Sequence, residues 1–144
     1  MEKLYDVLVV GELNVDLILD EIEKFPEVFL TGKDNLKEAI DSIKEYTNIL
    51  VIKRGNKGSK VHFNDQLLDL PPFLNKQVVD AIGAGDSFNA GFIYKFINGN
   101  SIPECQKFGN LTGAVSTTAA GGTNAFKVYE NFRDTAKEKF GIVV

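Results

Sequence analysis

Short apolar runs alternate with segments of helical periodicity along this chain, and that alternation limits the fold more than any other feature. "YDVLVVG", residues 5–11, and "NILVIKRG", residues 48–55, are typical of buried strands. Between them, after Asp34 or Asn35 as a cap, apolar residues recur at helical spacing. These residues are Leu36, Ala39, Ile40 and Ile43. The order of strand, helix and strand predicts an α/β sandwich with a mostly parallel sheet.

Two further segments add β structure to this pattern. "NVDLILD", residues 14–20, alternates apolar and polar residues and predicts a second strand. "NKGSKVHFNDQLLDLP", residues 56–71, predicts a hairpin with turns at residues 56–58 and 64–65. Pro71 and Pro72 stop its second arm, because proline cannot donate to a strand ladder. The hairpin is therefore expected as an antiparallel addition to the sheet.

The sequence pattern of the second half of the chain predicts three helices. The first follows the "GAG" turn and closes near Gly99, which suits a C-cap. The second runs over residues 101–120, with Ser101 as N-cap and "GGT", residues 121–123, at its end. The third covers residues 127–140 and is amphipathic. Its predicted core face holds Val128, Phe132, Ala136 and Phe140.

Composition narrows the class of protein. With 144 residues, 44% hydrophobic and 25% charged, the chain fits one globular domain over residues 1–144. A net charge of -4 argues against a nucleic-acid partner, and no apolar run is long enough to span a membrane. Cys105 is the only cysteine, so we expect a buried structural thiol and a cytoplasmic protein. His62 has no cluster of metal ligands near it in sequence, so no metal role is predicted.

The most specific sequence signal for a chemical role is a glycine-rich turn. Gly83, Ala84 and Gly85 precede Asp86 at the start of a helical pattern. The first N–H groups of a helix lack partners, so such a turn can hold an anion and stabilise charge that develops in phosphoryl transfer. Asp86 can accept the proton of an attacking hydroxyl. The alternative is that Asp86 only complements the helix dipole and that the glycines only allow close packing.

The stretch "DAIGAGDSFNAG", residues 80–91, resembles the C-terminal signature D-T-x-G-A-G-D-x-F-x-A-G of the ribokinase-like, or PfkB, carbohydrate kinases. Ala81 replaces the usual threonine. The resemblance implies a ribokinase-like three-layer α/β/α sandwich and a transferase that uses ATP and Mg²⁺ to phosphorylate a sugar or related alcohol. Asp86 is then the base, and the amides from Gly83 to Asp86 form the anion hole. In members that bind a monovalent cation such as K⁺, the Asp80 side chain and the Ile82 carbonyl lie beside it.

Other segments resemble the family in the same order. "VVGELNVDLILD", residues 9–20, is similar to the family's opening, where Asn14 and Asp16 face the sugar. "VIKRGNKGS", residues 51–59, resembles the turn that borders the nucleotide, and residues 110–123 resemble the helix that lines adenine. The implied nucleotide contacts are Lys53, Arg54, Gly55, Lys57, Gly58, Asn110 and Gly122. Without the resemblance, a solvated turn explains Lys53, Arg54 and Lys57 equally well, and helix packing alone accounts for the small residues of 110–123. For Asp16, an ordinary polar residue on an exposed strand face is then the preferred explanation.

The chain is far shorter than the family's usual length. Residues 1–28 resemble the family's N-terminal segment and residues 29–144 its C-terminal nucleotide-binding half, so the central region is missing and the lid is largely absent. We therefore expect a fold reduced in size, with a sugar site that is incomplete and phosphoryl transfer that is impaired. The alternative is a non-catalytic nucleotide-binding or scaffold fragment. Exposed sheet edges would favour a homo-oligomer.

Overall fold

The computed structural model describes residues 7–10, 35–43 and 48–144. The predicted strand at residues 14–20 lies outside these ranges. The chain forms two compact units, one of residues 1–52 and 60–68 and the other of residues 53–59 and 69–144. A single domain over the whole chain stays a prediction.

The first unit is built around a four-stranded sheet in which the strands follow one another in chain order. Strand β1, Val7–Val10, pairs in parallel with β2, Ile49–Lys53, so that Val7 lies opposite Ile49. Helix α1, Leu36–Ile43, lies between them in sequence, as a parallel connection requires. Strands β3, Ser59–Phe63, and β4, Gln66–Leu70, complete the sheet, and the ends of β2, β3 and β4 are counted with the second unit.

Local signals predicted both the helix and the hairpin of this unit. Asn35 caps α1, because its Oδ1 accepts the N–H of Glu38 at 2.9 Å. Asn64 and Asp65 join β3 to β4 with φ of 47° and 56°. Two consecutive left-handed residues form the type I′ turn that suits the twist of a two-residue hairpin. The predicted antiparallel hairpin is thus confirmed.

The second unit contains three helices: α2, Ala84–Ile97; α3, Ile102–Ser116; and α4, Tyr129–Phe140. Short 3₁₀ turns occupy Gly55–Lys57 and Asn124–Phe126. Among the helices in the described ranges, none has the length and apolar character needed to cross a membrane.

Helices α2 and α3 pack closely because small residues lie at their contact. A Cβ on Gly91 would lie 2.2 Å from the Thr112 Oγ1, and a Cβ on Gly109 would lie 3.0 Å from the Phe88 ring. The Thr112 hydroxyl donates a hydrogen bond of 2.7 Å to the carbonyl of Ser87. Gly91 and Gly109 therefore leave room for the two helices to approach closely.

Helix α3 ends four residues earlier than its sequence pattern predicts. The N–H and hydroxyl of Thr117 both donate to the carbonyl of Ala114, and those of Thr118 both donate to the carbonyl of Val115. These bonds tighten the chain into turns and satisfy the last carbonyls of the helix. Residues 117–120 are therefore turn and bend, and "GGT" does not end the helix.

Helix α4 contributes to an apolar core with α3. The buried residues of this core are Leu111, Val115, Phe132 and Ala136. Phe140 is half-buried and meets Phe73 edge to face, with 6.1 Å between ring centroids. The prediction for Val128 is wrong: its side chain is 47% exposed, because this extended residue precedes the first turn of the helix.

Candidate functional site

The glycine-rich turn is formed as the sequence predicts, with one shift in where the helix begins. Gly83 has φ 74° and is the N-cap of α2, so Ala84 and Gly85 already belong to the first helical turn. The left-handed backbone favours glycine at this position. A Cβ on Gly83 would also lie 2.7 Å from the Cα of Gly122. Two independent constraints therefore require glycine at residue 83.

The start of α2 presents backbone donors to solvent. Within the described part of the chain, no hydrogen bond joins the N–H of Gly85 or Asp86 to an acceptor, and both residues are exposed. The N–H groups on either side of them are used: that of Ala84 donates to the Ala81 carbonyl at 3.2 Å, and that of Ser87 to the Gly83 carbonyl at 2.8 Å. Two open N–H groups at the positive end of a helix dipole are an arrangement that can attract an anion.

Lys53 brings a positive charge to the same turn. It is the last residue of β2, and its Nζ donates to the carbonyl of Gly85 at 3.3 Å. A Cβ on Gly85 would lie 3.1 Å from this Nζ. An ammonium group beside open helix N–H groups adds to their attraction for an anion. The two segments that the resemblance assigns to nucleotide phosphate thus meet here.

Asp86 is the third residue of α2 and its side chain is exposed. The neighbouring Ser87 and Phe88 are buried, so the helix is anchored while the carboxylate faces solvent. This placement suits both a base and a first-turn acid that complements the dipole. The proposed sugar ligands Asn14 and Asp16 lie outside the described residues.

Asp80 connects the turn to a second loop. Its Oδ1 accepts the N–H of Ile82 at 2.9 Å, and its Oδ2 accepts the N–H of Gly121 at 2.8 Å. These two hydrogen bonds hold the pKa of Asp80 below its usual value, because they favour the ionised carboxylate. Asp80 is therefore an anion that already has backbone partners on both oxygens.

Gly122 lies directly under the turn. Its carbonyl accepts hydrogen bonds from the hydroxyls of Ser87, at 3.4 Å, and Ser116, at 3.3 Å. A Cβ on Gly122 would lie 3.2 Å from the Cα of Gly83 and 3.4 Å from the Ile82 carbonyl oxygen. The predicted nucleotide residue Gly122 thus supports the backbone of the turn.

The basic turn after β2 is held by its own contacts. The Arg54 guanidinium pairs with Asp69 at 2.5 Å and donates to the carbonyl of Lys57 at 3.1 Å. Gly58 is pressed against β4, where a Cβ would lie 2.1 Å from the Leu70 carbonyl oxygen. Arg54 and Gly58 therefore shape the turn, whereas the side chain of Lys57 is exposed.

Two other predicted nucleotide residues differ in exposure. Gly55 is exposed, has φ 53°, and has open space where a Cβ would be. Asn110 is 8% exposed, and its Nδ2 donates to the Pro71 carbonyl at 3.1 Å. The Asn110 amide thus ties α3 to the segment after β4.

Neither Cys105 nor His62 belongs to this site. Cys105 is buried, its thiol donates to the Asn100 carbonyl at 3.6 Å, and burial raises its pKa. His62 is half-buried on β3. In the described ranges, no three His, Cys, Asp or Glu side chains are grouped where a metal ion could bind them together.

Sequence reasoning missed Gly121, Ser87 and Ser116. Gly121 acts through its N–H, which every residue except proline carries, so its side chain gives no signal. The serines donate to a carbonyl across the turn, and only the packing of α2 beside α3 brings both hydroxyls to it.

Comparisons with known proteins identify the family of this chain. Residues 19–128 match the family model described as pfkB family carbohydrate kinase. An inositol 3-kinase of Arabidopsis thaliana is 39% identical over 72 residues, which is 50% of this chain and 20% of that enzyme. A nucleoside kinase of Methanocaldococcus jannaschii is 32% identical over 77 residues, covering 54% of this chain and 26% of its own.

Solved structures show the same fold. The ribokinase of Thermotoga maritima matches 78% of this chain and 38% of its own, with a TM-score of 0.68 and 24% identity. A fructokinase of Vibrio cholerae matches 69% and 34%, with a TM-score of 0.63 and 26% identity. The chain thus spans well under half the length of these relatives. Its fold is a reduced ribokinase-like α/β fold, and the chain belongs to the pfkB family of carbohydrate kinases.

Proposed function

We propose that this chain carries the nucleotide-binding and catalytic-base part of an ATP-dependent carbohydrate kinase. The observation that supports it best is the start of α2. There, the N–H groups of Gly85 and Asp86 are open within the described chain, and the Lys53 ammonium lies 3.3 Å from the Gly85 carbonyl. This arrangement suits the terminal phosphates of ATP.

The proposed chemistry is transfer of the γ-phosphoryl group to an alcohol. As the acceptor oxygen bonds to phosphorus, the bond from phosphorus to the bridging oxygen breaks and ADP leaves. Asp86 takes the proton of the acceptor hydroxyl. The open amides of Gly85 and Asp86, together with Lys53, stabilise the negative charge on the phosphoryl oxygens, whereas the Ala84 N–H is used in a bond of 3.2 Å to the Ala81 carbonyl.

ATP and Mg²⁺ both suit these residues. Mg²⁺ is usually held by nucleotide phosphates together with one or two carboxylates, so it would be bound along with ATP. The exposed Lys57 is proposed to face the outer phosphates or the ribose. Because ATP is abundant in the cytoplasm and a single cysteine allows no internal disulfide, we propose a cytoplasmic location.

The acceptor is proposed to be a hydroxyl of a sugar or sugar-like ring. The fructokinase of Vibrio cholerae was solved in a fructose, ADP and calcium ion bound form, and a nucleoside kinase of Burkholderia thailandensis in complex with inosine. Asn14 and Asp16 are the proposed acceptor ligands. A second candidate, a nucleotide-binding module without catalysis, is favoured by the short span of the chain relative to its relatives.

Nucleotide binding is tested by calorimetric titration of a non-hydrolysable ATP analogue with Mg²⁺. Wild type should bind saturably, and Gly85→Asp should lose at least ~10-fold in affinity because a carboxylate would face the phosphate. Ala90→Asp is the matched control, since it adds the same charge to an exposed position of the same helix. Absence of binding by the folded wild-type chain would contradict the proposal.

Asp86→Asn separates catalysis from binding. It should lower the rate of ADP release with fructose, inosine or inositol as acceptor by about 10²–10⁴-fold, because the base is lost. Affinity for the ATP analogue should change by no more than about threefold. An equal loss of both quantities in a folded variant argues against the role of Asp86. Nucleotide binding without transfer by wild type favours the non-catalytic module.

A further inference from the structure

Of the two ligands that the resemblance implies for a monovalent cation, the Asp80 carboxylate is already used by the protein. Both carboxylate oxygens of Asp80 accept backbone N–H groups, from Ile82 at 2.9 Å and from Gly121 at 2.8 Å. The other implied ligand, the Ile82 carbonyl oxygen, faces Gly122, where a Cβ would come within 3.4 Å of it.

We propose that Asp80 is a positioning residue that joins the glycine-rich turn to residues 121–122, and that the nucleotide site forms without K⁺ or another monovalent cation. This inference rests on the proposed nucleotide site and concerns its regulation. It is based on the two backbone donors that contact Asp80. A cation bound to the same two carboxylate oxygens would lie beside the positive ends of the Ile82 and Gly121 N–H dipoles, which would repel it.

A second set of bonds reinforces the connection. The Gly122 carbonyl accepts the hydroxyls of Ser87 and Ser116, so this oxygen too has protein donors. The oxygens of Asp80 and Gly122 thus already have N–H and O–H donors of the protein beside them. These donors supply the positive partial charge that a cation between the two loops would otherwise supply.

The connection reaches the phosphate site through Gly83. This residue is the N-cap of α2, and its Cα packs against Gly122 so closely that no side chain fits between them. The direction in which the open N–H groups of Gly85 and Asp86 point therefore depends on where residues 121–122 are held. Asp80 controls that position through its bond to Gly121.

Cation dependence of nucleotide binding is the first test. The ATP analogue with Mg²⁺ is titrated into wild type in KCl, NaCl and choline chloride at equal ionic strength. The dissociation constants should agree within about twofold. Affinity that is at least ~10-fold higher in KCl than in choline chloride would overturn the inference and leave the proposed nucleotide site intact.

Amide exchange tests the connection without nucleotide. The N–H groups of Ile82 and Gly121 should exchange slowly, and at equal rates in KCl and choline chloride, when followed by NMR. Faster exchange in choline chloride would overturn the inference. If no salt supports nucleotide binding, the proposed site fails, and the exchange rates still decide whether Asp80 holds the two loops.

The variant Asp80→Asn tests the role of this carboxylate directly. The amide keeps one acceptor but turns a second donor towards a backbone N–H, so one of the two loop contacts is lost. We expect about 10-fold weaker nucleotide binding that KCl does not restore, and faster exchange of the Gly121 amide. The control Asp134→Asn changes an exposed carboxylate on α4 and should match wild type. Wild-type affinity in Asp80→Asn, or recovery in KCl, would contradict the inference.

Discussion

Two glycines of α2 show how differently the same residue type can act. Gly91 is buried, and a Cβ there would lie 2.2 Å from the Thr112 Oγ1 and 2.8 Å from its Cγ2. Thr112 is itself fixed by its bond to the Ser87 carbonyl, so it cannot easily move away. Gly85 is exposed, and a Cβ there would meet only the end of the flexible Lys53 side chain, 3.1 Å away.

Gly91→Ala should therefore destabilise the protein, and Gly85→Ala should not. Overpacking at Gly91 is expected to lower the free energy of unfolding by about 1–3 kcal/mol, even though alanine favours helix. Gly85→Ala should change the free energy of unfolding by less than about 1 kcal/mol. The higher helix propensity of alanine offsets the cost of a small displacement of the Lys53 side chain. Urea unfolding of both variants measures the difference. Equal stability of the two would show that the α2–α3 contact is looser than described.

At the scale of the element, the first turn of α3 is held by Glu104. Its Oε2 accepts the hydroxyl of Ser101 at 2.6 Å and the N–H of Ser101 at 2.9 Å. The bond from the Ser101 hydroxyl has the larger effect and the bond from its N–H the smaller, and both hold the pKa of Glu104 below its ordinary value. A lowered pKa means that the folded state favours the carboxylate. The resulting stability is fully present above the unfolded pKa and is lost as the pH falls through the folded pKa.

Glu104→Gln should therefore lower Tm at pH 7 by an amount that shrinks as the pH falls below about 4. Thermal unfolding of wild type and variant from pH 7 to pH 2.5 measures this difference. Glu130→Gln is the control, because this first-turn acid of α4 has no hydrogen bond to its carboxylate within the described chain. A difference that grows towards low pH would contradict the assigned interaction.

At the scale of the whole molecule, Phe132 centres the core of the second unit. Its ring meets those of Phe108 on α3, Phe126 in the 3₁₀ turn and Tyr129 on α4, with centroids 6.2, 5.6 and 6.1 Å away. One 6% exposed side chain thus connects three elements of the second unit. Removal of this ring leaves a cavity bordered by all three.

Phe132→Ala should lower the free energy of unfolding by about 3–5 kcal/mol, a large share of the stability of a typical domain. Tyr129→Ala, which removes a 59% exposed ring, should cost less than about 1 kcal/mol. Chemical denaturation followed by circular dichroism compares them. A small effect at Phe132 would mean that this core rearranges around the lost ring.

Much of the fold was predictable because its signals are local. Asn35 capping α1, the Asn64–Asp65 turn and Ser101 before α3 act within a few residues of themselves, and each appears where its pattern places it. The end of α3 and the exposure of Val128 were not predicted. Threonine hydroxyls compete for the last helical carbonyls, and periodicity alone does not show which end of an apolar stripe reaches the core.

The amino-acid sequence by itself determined the family, the glycine-rich turn at the start of α2, and the hairpin. These depend on residue types at fixed short spacings, which set backbone angles and hydrophobic faces directly. Only the tertiary structure decided that Lys53 meets Gly85, 32 positions away, and that Asp80 meets Gly121, 41 positions away. Contacts at such separations depend on how whole elements pack, because packing places a distant side chain or N–H within hydrogen-bond reach of its partner.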